Sequence, residues 1–172
     1  MADVALDRTD LRILALLQAD GRQSHVDVAA KVGLSPSPCT RRIRRLEKSG
    51  VIEKYTALVD PKQVGQNVLA FVEIKLERHT DEVIEQFRRL LAERPEVISA
   101  HAMTGEMDFL LRVVVPDLDA LGWLTLHQLL KLPGVRDVRS SLVLETLKGE
   151  SAVPLTAARA GPGHSGARRH LR

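Results

Sequence analysis

Aromatic side chains make up only 3% of this 172-residue chain, so its core has to be aliphatic. Cysteine is rarer still: Cys39 stands alone, which excludes an internal disulfide and a cysteine-rich zinc cluster. No run approaches the roughly 18 consecutive apolar residues that a membrane span needs. The first residues show no basic stretch followed by an apolar run, so no secretion signal is expected. There is no P-loop or dinucleotide-type glycine motif. The six histidines (His25, His79, His101, His127, His164 and His170) are not at metal-ligand spacing. No serine or cysteine sits in a nucleophile signature, and His101 reads as structural. These absences argue against an enzyme, a metal site and a prosthetic cofactor. The expected compartment is the cytoplasm, with no membrane partner.

What is present is organised in blocks. An apolar fraction of 44% can fill one ordinary domain or two small ones. Residues 1–54 carry ten Lys+Arg against seven Asp+Glu, residues 55–150 carry eleven against fifteen, and residues 151–172 carry four against none. A basic head and tail suit an anionic partner, while the acidic middle has another task.

In the head, Asp7 is placed to cap a first helix, with Asp10 in its positive first turn. Leu6 and Leu11 stand at staple positions, and Leu11, Leu14 and Leu17 line the inner face. Ser24 caps a second helix to Val32, with Val28, Ala29 and Val32 inward, and Gly33 ends it. Ser35-Pro36 opens a third helix that runs to about Ser49. A helix, a tight glycine turn and a second helix is the helix-turn-helix pattern. Cys39, Ile43 and Leu46 share one face of the third helix, where Cys39 acts as a small hydrophobe. Ser37, Arg41, Arg44, Arg45 and Lys48 lie opposite, with Thr40 on the flank and Ser35 at the entry. Long cationic donors beside small hydroxyls can hold the phosphates and read the base edges of double-stranded DNA. An ordinary solvated face would interleave both signs, but Glu47 is the only acid between Thr40 and Ser49. Residues 51–59 are rich in β-formers and predict a strand, which Asp60-Pro61 breaks.

The middle repeats itself with a period of 38 residues. Phe71 matches Phe109, Asp81 matches Asp119, Pro95 matches Pro133 and Val97 matches Val135. Each half reads strand, helix, Pro-x-Val, strand. Val72, Ile74 and Leu76 alternate with Glu73, Lys75 and Glu77, and a helix from Asp81 turns Val83, Ile84, Phe87, Leu90 and Leu91 inward. Further strands are predicted over 97–103, 109–115 and 135–146, with a second helix reaching Leu132. The order βαββαβ is the ferredoxin-like split unit, whose open sheet face predicts a homo-oligomer. Between the halves lies Gly105-Glu106-Met107-Asp108. These are ordinary turn residues, but Asp108 could also hold an ammonium and nearby amides a carboxylate, which suits an amino acid.

Together these stretches resemble the Lrp/AsnC, or feast/famine, family of transcription regulators. The likeness lies in Leu6-Asp7, Asp10-Leu11-Arg12-Ile13-Leu14, Asp20-Gly21-Arg22, Val32-Gly33-Leu34-Ser35-Pro36 and Pro38-Cys39. It continues through Arg42-Ile43-Arg44-Arg45-Leu46-Glu47, Gly50-Val51-Ile52, Gly105 to Leu111, Val115-Pro116-Asp117 and Leu132-Pro133-Gly134-Val135. The resemblance implies an α+β chain: an N-terminal winged helix-turn-helix plus a C-terminal ferredoxin-like βαββαβ effector domain, assembled as homodimers and often octamers. It implies a sequence-specific DNA-binding regulator of amino-acid metabolism genes, associated with the nucleoid, whose oligomer responds to an amino acid such as leucine. By position it points to Met103, Thr104, Gly105, Glu106 and Asp108 as effector contacts, with Ser140, Ser141 and Leu142 of a neighbouring subunit as the other wall. Many members carry tyrosine after the aspartate, where this chain has Phe109.

The expected organisation is a DNA-binding domain over 1–50, a linker strand over 51–67, a ligand-binding and oligomerisation domain over 68–150, and a disordered basic tail over 151–172. The alternative is an architectural DNA-compacting protein that ignores ligands.

Overall fold

The computed structural model describes residues 5–149 and 151–155. They form two compact units: the chain up to Ala57 together with the described residues from Gly149 on, and Leu58–Lys148.

The first unit holds three helices, α1 (Arg8–Ala19), α2 (His25–Val32) and α3 (Pro36–Lys48). α1 starts with a reciprocal capping box: the Asp10 amide donates to Asp7 Oδ1 at 2.8 Å, and the Asp7 amide to Asp10 Oδ2 at 3.1 Å. Ser24 caps α2 through the Asp27 amide, and Gly33 ends it in the left-handed conformation at φ 75°. Pro36 and Pro38 fall in the first turn of α3, where a missing N–H costs little. Ile13, Leu14, Leu17, Val28, Ala29, Val32, Cys39, Ile43 and Leu46 form the core. Each large member contributes about 1.5–3 kcal/mol by leaving water. The inner stripe of α1 runs through Asp10, Ile13, Leu14 and Leu17, so Leu11 is half-buried rather than part of the core as the sequence predicts.

Two further segments complete this unit. The strand predicted over 51–59 is not formed, because a strand needs a second one beside it and none among the described residues pairs there. Instead Val51 and Ile52 both donate to Leu46 O, Ile52 packs on the helical core, and Tyr55 donates to Glu47 Oε1 at 3.1 Å. Within the predicted tail, Val153 exchanges two hydrogen bonds with the Gln18 side chain, at 2.7 and 3.1 Å, and Leu155 packs on the core. The remainder of that tail, 156–172, lies outside the described residues.

The second unit opens with a short 3₁₀ turn (Pro61–Val64) and then follows the duplicated order: β1 (Val68–Leu76), α4 (Asp81–Ala92), β2 (Val97–Ala102), β3 (Phe109–Val115), α5 (Leu118–Gly122) and β4 (Val135–Leu142). The sheet is antiparallel in the order β2-β3-β1-β4, the ferredoxin-like arrangement expected from the repeat. Ala70, Val72, Ile74 and Leu76 of β1 and Leu111, Val113 and Val115 of β3 face the helices around Phe87. The last strand stops at Leu142, short of Thr146.

The second helix departs from its counterpart α4. After Gly122 it widens into π-helical turns over Trp123–Leu129, where the Leu130 amide reaches back to Thr125 O. The buried Thr125 hydroxyl donates to Leu121 O at 2.9 Å, and a hydroxyl inserted in the backbone ladder loosens the regular spacing.

Candidate DNA interface and effector recess

The outward face of α3 follows from its inward one. Burial of Cys39, Ile43 and Leu46 turns Arg41, Arg44, Arg45 and Lys48 to the opposite side, where they line one shallow recess with Ser49. Ser35 and Ser37 are exposed at the entry, and the Ser35 side chain makes no capping hydrogen bond. Thr40 lies at the flank, its hydroxyl 3.3 Å from His25 Nδ1.

The arginines are not equivalent. Arg41 and Arg44 have no ion-pair partner among the described residues, while Arg45 Nη2 donates to Asp10 Oδ2 at 2.5 Å. Beside it Arg42 Nη1 donates to Asp7 Oδ2 at 2.6 Å and to Asp10 Oδ1 at 2.9 Å. The Asp10 amide and the Arg42 guanidinium hold the Asp7 carboxyl below the usual range. Counting neighbours along the helix alone misses Asp10, because this acid arrives from α1. The available signal is Asp10 standing on the apolar stripe of α1 in step with Ile13 and Leu17. Burial pushes the Cys39 thiol up, in keeping with a core role.

In the second unit the hairpin between the halves turns at Gly105, whose φ of 116° favours glycine. A recess of about 380 Å³ opens here, lined by Met103, Thr104, Glu106, Met107, Phe109 and Leu110 of the hairpin with Glu73 of β1 and Arg139 of β4. Arg139 is the cross-strand partner of Glu73, so both project from the sheet face away from the helices. Its guanidinium reaches Glu106 Oε1 at 3.4 Å and Asp137 Oδ2 at 3.2 Å.

Asp108 does not line this recess. Its Oδ2 accepts the Leu76 amide at 2.7 Å and its Oδ1 the His79 ring at 2.8 Å, so both oxygens are engaged away from the recess. Two amides of the turn are also taken, Met103 N by Asp108 O and Asp108 N by Ile74 O. The charged groups that do face the recess are Glu73, Glu106 and Arg139. Sequence reasoning missed Glu73 and Arg139, although the alternation of β1 and β4 puts both on the open face. Ser140, Ser141 and Leu142 lie exposed on β4, just beyond Arg139, and outside the recess of this chain.

A cationic recognition helix on one unit and a charged-and-apolar recess on another define a ligand-linked DNA-binding regulator. Known proteins agree. Residues 6–53 match the winged helix-turn-helix DNA-binding family, and residues 69–153 match the Lrp/AsnC ligand binding domain. The leucine-responsive regulatory proteins of Salmonella typhimurium and Escherichia coli are each 46% identical over 143 residues, covering 83% of this chain and 87% of theirs. A transcriptional regulator from Neisseria meningitidis, solved as its L-Met complex, superposes with a TM-score of 0.81 at 39% identity, over 87% of this chain and 96% of its own. An AsnC family regulator from Agrobacterium tumefaciens gives 0.79 at 40% identity, over 87% and 97%. The chain belongs to the Lrp/AsnC family. It is a transcription regulator, not an enzyme, with a helix-turn-helix for DNA and a ligand-binding domain. Among the described residues, no helix is long and apolar enough to cross a membrane.

Proposed function

We propose that this regulator binds operators upstream of amino-acid metabolism genes through Ser35, Ser37, Thr40, Arg41, Arg44, Arg45 and Lys48, and that an apolar amino acid in the hairpin recess tunes that binding. The observation that carries the effector half is the lining of the recess. Arg139 suits a carboxylate, Glu73 and Glu106 suit an ammonium, and Met103, Met107 and Leu110 suit an aliphatic or thioether side chain. That chemistry matches leucine or methionine, and a relative is a complex with L-methionine.

The working form is a homodimer that assembles further, to an octamer, in the cytoplasm and on the nucleoid. The sheet face away from the helices supports association: Phe71 is 38% exposed there, with Leu69, Leu110 and Val114 half-buried around it. The effector acts by binding one assembly state more tightly than another. A thermal-shift panel of the twenty amino acids, read beside light-scattering mass, tests this. Leucine or methionine is expected to raise the melting temperature and change the mass distribution, and no response to any amino acid would favour a ligand-independent architectural role.

A further inference from the structure

Asp10 lies on α1, outside the recognition helix, and its side chain is only 1% exposed. Its Oδ1 accepts from Arg42, and its Oδ2 accepts from the Asp7 amide and from Arg45. A buried carboxylate held by three donors is a fixed point. Arg45 is different: its side chain is 47% exposed and lines the same DNA-facing recess as Arg41, Arg44 and Lys48. A guanidinium has five N–H donors, and Asp10 engages Nη2 while leaving donors for an outside partner. Arg45 is the tenth residue of α3, far from its N-terminal end. In a helix-turn-helix the first residues of the recognition helix reach base edges, while the first helix crosses the backbone.

We propose that Asp10 is a positioning residue for DNA binding: it holds the Arg45 guanidinium in the pose from which Arg45 contacts a backbone phosphate. This rests on the reading of α3 as the DNA-contacting helix. Two effects of Asp10 oppose each other, and their signs can be separated. Its negative charge repels phosphate, so removing it should tighten binding if long-range charge dominates. Its grip removes the ordering that a free arginine undergoes on binding, so removing it should weaken binding if pre-ordering dominates. Burial behind two guanidinium groups already screens the charge, so pre-ordering wins.

The test uses the full chain and a labelled double-stranded DNA fragment of mixed sequence, titrated at several salt concentrations. Asp10→Asn is expected to weaken binding about fivefold although it makes the protein more positive, the size of effect that ordering one long side chain produces. Asp7→Asn carries the same charge change without touching Arg45, and is not expected to weaken binding. Arg45→Ala is expected to flatten the salt dependence by about 0.9 in slope, one phosphate's worth. In the Arg45→Ala background, Asp10→Asn is expected to cause no further loss. Unchanged or tighter binding by Asp10→Asn, or an equal loss with and without Arg45, overturns the proposal. If Arg41→Ala and Arg44→Ala weaken binding and Arg45→Ala does not, the DNA face stands and this proposal falls. Should Asp10→Asn unfold the helical unit, the wild-type chain carries the test. The Arg45 Nη–H protons are then expected to exchange with water more slowly than those of Arg44 in DNA-free protein, and equal exchange overturns the proposal.

Discussion

Asp108 and His79 meet at 2.8 Å, and the other Asp108 oxygen accepts the Leu76 amide at 2.7 Å, so this carboxylate ties the hairpin to the end of β1. Burial pushes the Asp108 carboxyl up, but the Leu76 amide, the His79 ring and the Lys75 charge outweigh it and leave it below the usual range. The unfolded chain therefore binds this proton more tightly than the folded one. Stability from Asp108 is complete above the ordinary carboxylate range near pH 4 and is lost as pH falls through and below it. Asp108→Ala is expected to cost the effector unit about 1–3 kcal/mol, as an unpaired amide is left behind. Denaturant melts at pH 7 and near pH 3 check both: the variant should lose less on acidification than the wild type.

Gly134 sits just before β4 at φ 80°, and a Cβ there would lie 2.5 Å from Val83 Cγ1 of α4. Gly134→Ala therefore meets two penalties at once. The left-handed backbone alone costs about 1–2 kcal/mol, and the contact with Val83 adds to it. A lowered thermal midpoint for the effector unit is the expected result, partly restored by Val83→Ala.

The Pro-Gly-Val motif containing this glycine was legible in the sequence, as was the whole duplicated architecture, because a 38-residue period survives in Pro95 and Pro133 and in Val97 and Val135. The caps at Asp7, Ser24 and Gly33 were legible for the same reason: each is a local rule. What stayed hidden depends on residues far apart in the chain. The Asp10–Arg45 pair joins two helices, and Glu73 and Arg139 meet only once β1 and β4 are in register. The π-helical turns after Gly122 leave no periodic signature, since the apolar positions of that helix fit an ordinary one. The strand predicted over 51–59 had the right composition but no neighbour to pair with.

Arg139→Ala should weaken the thermal response to leucine or methionine by about tenfold or more in effector concentration, the loss of one charged hydrogen-bonding partner. Asp108→Asn, whose side chain points away from the recess, should leave that response within about twofold on the same reasoning. The reverse ranking would return the ligand contact to the turn aspartate.

Gln18 holds Val153 by two hydrogen bonds, and Leu155 covers part of the helical core. Leu155→Ala and Gln18→Ala are each expected to destabilise the DNA-binding unit by about 1 kcal/mol, seen as a lower denaturation midpoint. Truncation after Gly149 should do at least as much, and no change would show that this segment contributes nothing to the unit.

The burial of Cys39 gives the chain an internal stopwatch. As the sole thiol, shielded among Ile43, Leu46 and the helices around them, it reacts with a thiol reagent only when those helices part. Labelling rates with and without operator DNA would then time the opening of the DNA-binding unit alone, in the intact protein and whatever the assembly around it is doing. DNA that clamps the three helices should slow the clock, while an effector acting only on assembly should leave it running at the same rate.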